Sequence, residues 1–268
     1  MQVGLIPPRG LENYALRSKF HLALAIPDLM SRRAYGGMYM RLARLGDFVV
    51  LDNGIAEGQP SPPESLMAQA ATLGAQEVVA PDVMKDANAT IKAVEDFFKL
   101  ERPARFQYMA VVQGEKVEDF FKCADVFASI ESINTLGIPR HMLTTLNQKA
   151  ARIDFAYVVD ERYPGRFDLH LLGTNPMWIP EVKHAAKYSP FIRSVDTSMP
   201  FSYALAGQDL ALTTEHITRP DRYFDIDWPS KVDGPLIRSN IRTFMEWADA
   251  TSIRSQASAS KLRDVSTS

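Results

Sequence analysis

The feature that most limits what this chain can fold into is a series of short, continuously apolar runs. Each closes on a polar residue or a glycine. They are HLALAIPD from His21, DFVVLDNG from Asp47, QEVVAPD from Gln76, YMAVVQG from Tyr108, SINTLGIPR from Ser132, FDLHLLG from Phe167 and FIRSVDTS from Phe191. Runs that are apolar throughout, rather than alternating, suit parallel strands covered on both faces. Their starts lie 24 to 35 residues apart, and helix-like stretches fill the gaps. PPESLMAQAATLG opens on prolines and Glu64 and stops at Gly74, as helices commonly begin and end. ATIKAVEDFFKL, KVEDFFKCADVFASI and NPMWIPEVKHAAKY follow the same logic. Strand and helix in alternation predict a parallel α/β fold. Seven such units, with a weaker eighth near LALTTEH or RYFDIDW, predict a single-domain (β/α)8 TIM-like barrel over residues 1–252. An open doubly wound sheet is the alternative. No G-x-G-x-x-G follows the first strand and there is no P-loop, which argues against a nucleotide-binding version of that sheet.

The chain's 268 residues suit one such barrel. Apolar residues make up 46% and charged residues 23%, enough to bury a full core. The formal net charge of −2 means that any contact with nucleic acid must come from local positive charge. A single cysteine, Cys123, rules out an internal disulfide and a multi-cysteine zinc site; its helical surroundings predict a buried thiol. No metal and no cofactor are expected. No apolar run approaches the roughly 18 residues of a membrane span, and MQVGLIPPRG lacks the regions of a signal peptide. The expectation is a cytoplasmic protein without membrane contact. Residues 253–268, IRSQASASKLRDVSTS, read as a disordered polar tail.

In a barrel of this kind the C-terminal ends of the strands build the active site. The residues placed there are Asp52 and Asn53, Asp82, Gln113 and Gly114, Gly137, Gly173 and Asp196. An Asp after a strand is often only a helix cap, and Asp52 precedes the turn dipeptide Asn53-Gly54. Asp196 is different, because Thr197 and Ser198 behind it supply hydroxyls that could cap by themselves. Gln113 can donate and accept at once, which suits the edge of a planar heterocycle, and Gly114 would let a ring approach the backbone. His170 is expected inside the barrel near the site. Tyr108, Phe201 and Tyr203 are candidates for sandwiching a ring. Arg140 with His141, Arg162, Arg166 and Arg193 are candidate phosphate contacts.

The ordered set DNG, PD, VVQG, LGIPR, HLLG and VDTSMP resembles the queuine and archaeosine tRNA-guanine transglycosylase superfamily, over roughly residues 48–200. The closer likeness is to its phage and bacterial branch of 7-deazaguanine DNA transglycosylases. The resemblance implies a pentosyltransferase that replaces guanine in DNA with a 7-deazaguanine base such as preQ0. Asp196 takes the position of the nucleophile that attacks C1′ of the sugar. Asp52 takes that of the carboxylate assisting proton transfer, and Asp82 and Gln113 those of the groups reading the purine edge. Gly137 stands nearest the family's glycine segment, which is usually a double glycine and here is Leu136-Gly137. Asn53, His170, Thr197 and Ser198 would support these groups, and Arg140 and Arg193 would hold the polymer. The cell interior, of a bacterial host if the chain is phage-encoded, is the implied location.

This chemistry is coherent without the name. Base exchange at a glycosidic carbon is a substitution through an oxocarbenium-like state, which a carboxylate nucleophile divides into two steps. A second carboxylate gives a proton to the leaving base and takes one from the incoming base. The target base must leave its stack, so the substrate is flipped or single-stranded. The tRNA enzymes carry a zinc site of several cysteines and a histidine, for which this chain lacks the cysteines; that favours DNA as the partner over tRNA. A zinc-less tRNA enzyme, a catalytically silent barrel supporting a partner, and a glycosidase with paired carboxylates are the competing readings. Oligomeric state is left open by the sequence.

Overall fold

A computed structural model describes residues 1–175, 178, 180–226 and 232–249. Eight parallel strands close into a barrel in chain order. They are β1 (Gln2–Leu5), β2 (Phe20–Leu24), β3 (Phe48–Asp52), β4 (Glu77–Val79), β5 (Gln107–Val111), β6 (Ile133–Pro139), β7 (Asp168–Leu172) and β8 (Ile192–Thr197). Around them run α1 (Pro27–Ser31), α2 (Tyr35–Arg44), α3 (Pro63–Leu73), α4 (Ala87–Lys99), α5 (Val117–Ala128), α6 (His141–Leu146), α7 (Ala151–Arg162), α8 (Glu181–Tyr188), α9 (Met199–Leu205) and α10 (Gly234–Ala248). The (β/α)8 architecture expected from the spacing is therefore the fold. No helix among the described residues is long and apolar enough to cross a membrane.

The eighth strand is not where the sequence placed it. LALTTEH and the described part of RYFDIDW form turns and irregular chain. The missing strand is β1, at the N-terminus, which pairs with β2 on one side and β8 on the other, with Gly4 opposite Asp196. Each sequence-predicted strand is thus one place later in the barrel, and Asp196 lies on the last strand. The tail 253–268 lies outside the described residues.

Helix ends follow from local chemistry. α3 begins at Pro63 and ends at Gly74, whose φ is +75°. The side chain of Asp86 caps α4 by accepting from the Ala89 N–H at 2.9 Å. Cys123 in α5 is fully buried and its thiol packs on the Gln113 carbonyl, with burial pushing its pKa up to about 11.

The N-terminal end of the barrel is plugged by charge. Glu77 opens β4 and is fully buried. It accepts from the Thr135 hydroxyl on β6, and at 2.7 Å from Arg193 Nη2 on β8. The Arg193 guanidinium also reaches Asp168 at 3.2 Å and lies about 5.5 Å from the ring centres of Phe20 and Phe48.

Candidate active site

At the C-terminal mouth a cavity of about 420 Å³ is lined by Asp52, Asp82, Gln113 and Asp196 together. That volume falls within the range of small-molecule sites. Four of the sequence-predicted positions therefore converge, each from a different strand end.

Asp196 is the most constrained. Its Oδ1 accepts from the Gly173 N–H at 2.7 Å and faces His170 Nε2 at 3.3 Å. Oδ2 takes no hydrogen bond from any described residue. Gly173 has φ +67°, so only a residue free to adopt the left-handed region presents that N–H here. Behind it, Arg152 is fully buried in a pair with Glu181 and donates Nη1 to the carbonyls of Leu172 and Gly173, each at 2.9 Å. This fixes the peptide that holds Asp196.

A chain of donors approaches the same oxygen from inside the barrel. Arg193 Nε lies 3.3 Å from Ser194 Oγ, and Ser194 Oγ lies 2.8 Å from His170 Nδ1. The arginine can only donate. The ionised Asp196 carboxylate can only accept, so Nε2 carries the hydrogen that faces it, and Ser194 Oγ lies within hydrogen-bond reach of Nδ1. The network selects that tautomer.

Asp52 closes β3 and accepts from the Gly54 N–H at 2.8 Å. Burial first, and then the nearby Glu57 charge, push its pKa well above the usual carboxylate range. Asp82 is nearly as buried but better solvated by the protein. Asn53 Nδ2 donates to its Oδ1 at 2.7 Å and Gln113 Nε2 to its Oδ2 at 2.5 Å. Burial raises its pKa to about 6 against the pull of both amides. The Asp82 backbone N–H adds a third donor to this carboxylate, which still titrates at about 6. Two buried carboxyls with raised pKa values, lining one cavity with a held carboxylate, form a set that can carry out nucleophilic substitution with general acid–base assistance.

Several expected roles are revised. Gln113 spends Oε1 on the Lys85 N–H at 2.9 Å and Nε2 on Asp82; it orients Asp82 first. Gly114 does not line the cavity. A β-carbon there would lie 2.2 Å from Asp119 Cβ, so the glycine answers to helix α5 and not to a ligand. Gly137 is not in the lining either. It sits at mid-strand, where a β-carbon would press on Leu172, Met109 and Val111 at 3.0 to 3.1 Å, and β6 reaches the cavity through Pro139 instead. Thr197 does not line the cavity; its hydroxyl accepts from the Met199 N–H at 2.9 Å and lies 3.4 Å from that of Thr174, which does line it, as does Ser198. Asn53 and His170 support the two carboxylates as expected.

Arg193 cannot touch a polymer at the mouth, because it is held in the plug at the other end. Arg162 pairs with Asp125 at 2.8 Å, and Arg166 donates to the carbonyls of Ile130 and Ile133, both away from the cavity. Tyr108, Phe201 and Tyr203 pack in the core and do not line it. His141 does line it, but burial lowers its pKa to about 4, so it is neutral near pH 7 and offers no cation. Arg140 is the one expected phosphate contact at the mouth. Glu57, Arg219 and Met84 also line the cavity; no sequence pattern marked them.

A scan against protein-family models finds no match to this chain, and a search of curated proteins finds none either.

Proposed function

We propose that this barrel is a pentosyltransferase that exchanges guanine in DNA for a 7-deazaguanine base through a covalent Asp196–sugar intermediate. The observation that carries the reading is the setting of Asp196: one oxygen is fixed by Gly173 and His170, the other takes no hydrogen bond from any described residue, and the same cavity is lined by Asp52, whose pKa burial pushes well above the usual carboxylate range. In the first step Oδ2 bonds to C1′ as the C1′–N9 bond breaks, and Asp52 supplies the proton to the departing guanine. In the second, the ionised Asp52 takes the N9 proton of the incoming base, N9 bonds to C1′, and the ester to Asp196 breaks. The donors on Oδ1 hold the carboxylate in register while charge moves onto and off its partner oxygen.

The Asp82 carboxylate lines the cavity, held by the Asn53 and Gln113 amides, and is the acceptor this reading assigns to the N–H groups of a guanine-like edge. The apolar lining, which includes Leu24, Val79 and Met84, suits the faces of a flat ring.

The test is a denaturing gel of the purified protein with a guanine-containing DNA oligonucleotide and a free 7-deazaguanine base. A protein–DNA adduct that vanishes in Asp196→Ala is the expected result. An adduct with tRNA alone would transfer the chemistry to another polymer. No adduct with a folded protein and either polymer would reject the reading.

A further inference from the structure

A second cavity, of about 500 Å³, opens beside the first, and Glu57, Arg140 and Arg219 line both. These three side chains form the wall between the catalytic mouth and an outer groove. Arg219 donates to Glu57 Oε1 at 2.9 Å, while Glu57 Oε2 is buried and takes no hydrogen bond from any described residue. The Arg140 side chain makes no hydrogen bond or ion pair with any described residue, while its carbonyl accepts from the Leu143 N–H at 3.2 Å. Its stem runs over Gly173, where a β-carbon would lie 3.7 Å from Arg140 Cδ, so the guanidinium stands next to the peptide that holds Asp196. The wall therefore contains two guanidiniums and one carboxylate. Arg140 stays exposed at the rim; partial desolvation, and then the neighbouring Arg219 charge, lower its pKa, and Asp196 and Glu57 offset this only in part. Within the wall the guanidiniums outnumber the carboxylate by one; the outer groove beyond it also carries Asp28, Asp221 and Asp225 beside Arg32 and Arg222.

We propose that Arg140 and Arg219 form a phosphodiester subsite that holds the DNA backbone next to the nucleotide being processed. The subsite rests on the nucleic-acid reading above. A sugar with C1′ at Asp196 carries its flanking phosphates to the rim of the pocket, where Arg140 stands, and the strand continues into the outer groove. Arginine suits the task, since its planar fork meets two phosphate oxygens at once. Glu57 holds Arg219 at the wall in the free protein and competes with the phosphate for it.

The experiment is fluorescence anisotropy of a labelled single-stranded DNA oligonucleotide with one guanine, measured across salt concentrations. All proteins carry Asp196→Asn so that no covalent complex accumulates. The double variant Arg140→Gln/Arg219→Gln should lower the slope of log affinity against log salt by about 0.7, the contribution of one phosphate on a single strand. Glu57→Gln should tighten binding by releasing Arg219; a purely structural ion pair would leave affinity unchanged or weaken it. Independently of any folding defect, an oligonucleotide with a neutral methylphosphonate beside the guanine should weaken binding to the Asp196→Asn protein and not to the double variant. Equal weakening of both, or an unchanged salt slope, overturns the subsite. An unchanged slope with an intact Asp196 adduct rejects the subsite alone; a lost adduct with the slope effect intact rejects base exchange alone.

Discussion

Asp82 is the residue whose ionisation falls within the working pH range. Its pKa of about 6 reflects burial opposed by two amide donors and its own backbone N–H. Only the ionised form accepts from two N–H groups, so affinity for a free 7-deazaguanine base should fall about tenfold per pH unit below about pH 6 and level off above it. Asp82→Asn should bind weakly with no such dependence. Calorimetric titration from about pH 5 to about pH 8 reads both outcomes, and a wild-type profile flat through this range would remove Asp82 from base recognition. The same shift has a stability consequence of opposite sense. Because the folded-state pKa lies above the unfolded one, Asp82 favours the fold most below the usual carboxylate pKa and loses that contribution as pH rises through about 6. The site thus keeps an ionised, buried carboxylate near neutrality at a cost in stability, as expected where binding and not folding sets the requirement.

At the level of elements, the loop from β5 to α5 couples Gln113 to a helix cap. The Asp119 carboxylate accepts from the N–H groups of Glu115 and Lys116 at 3.1 and 3.2 Å, and its β-carbon fills the space above Gly114. Gly114→Ala should cost about 1–3 kcal/mol, the range for inserting a methyl group into a packed contact, and should lower the urea midpoint. An unchanged midpoint would return Gly114 to the ligand-facing role that its position after a strand suggested. Seven strands were legible in the sequence because a continuously apolar run has to be buried on both faces. β1 was not, since its four residues include Gly4 and lead into Pro7-Pro8; it is a strand because β2 and β8 need a neighbour. The carboxylates were legible because a charge at the end of an apolar strand is costly without a role. Arg193 was misplaced by ignoring direction along β8. It precedes Asp196 by three residues, about 10 Å at the rise of a strand, and so belongs to the opposite end. Glu57 comes from a 3-10 turn and Arg219 from an irregular segment after α9, where no periodicity marks a residue as inward-facing.

Across the whole molecule the barrel interior carries a polar column from the plug to the mouth: Glu77, Arg193, Ser194, His170 and Asp196. TIM barrels fill this space with branched apolar layers, so the polar column needs full satisfaction to be tolerated. Arg193 is its branch point, since it neutralises Glu77 and also donates to Ser194. Arg193→Met leaves Glu77 buried and unpaired, and removing one partner of a buried pair costs about 3–5 kcal/mol. The double variant Arg193→Met/Glu77→Gln removes the stranded charge and should recover a large part of that loss in urea unfolding. Both variants take the Arg193 donor from Ser194, whose hydroxyl is then free to turn from His170. Adduct formation at Asp196 should therefore stay slow in the double variant although its stability returns. Recovery of stability and rate together would confine Arg193 to the plug; recovery of stability alone would tie the two ends of the barrel through one hydrogen-bonded column.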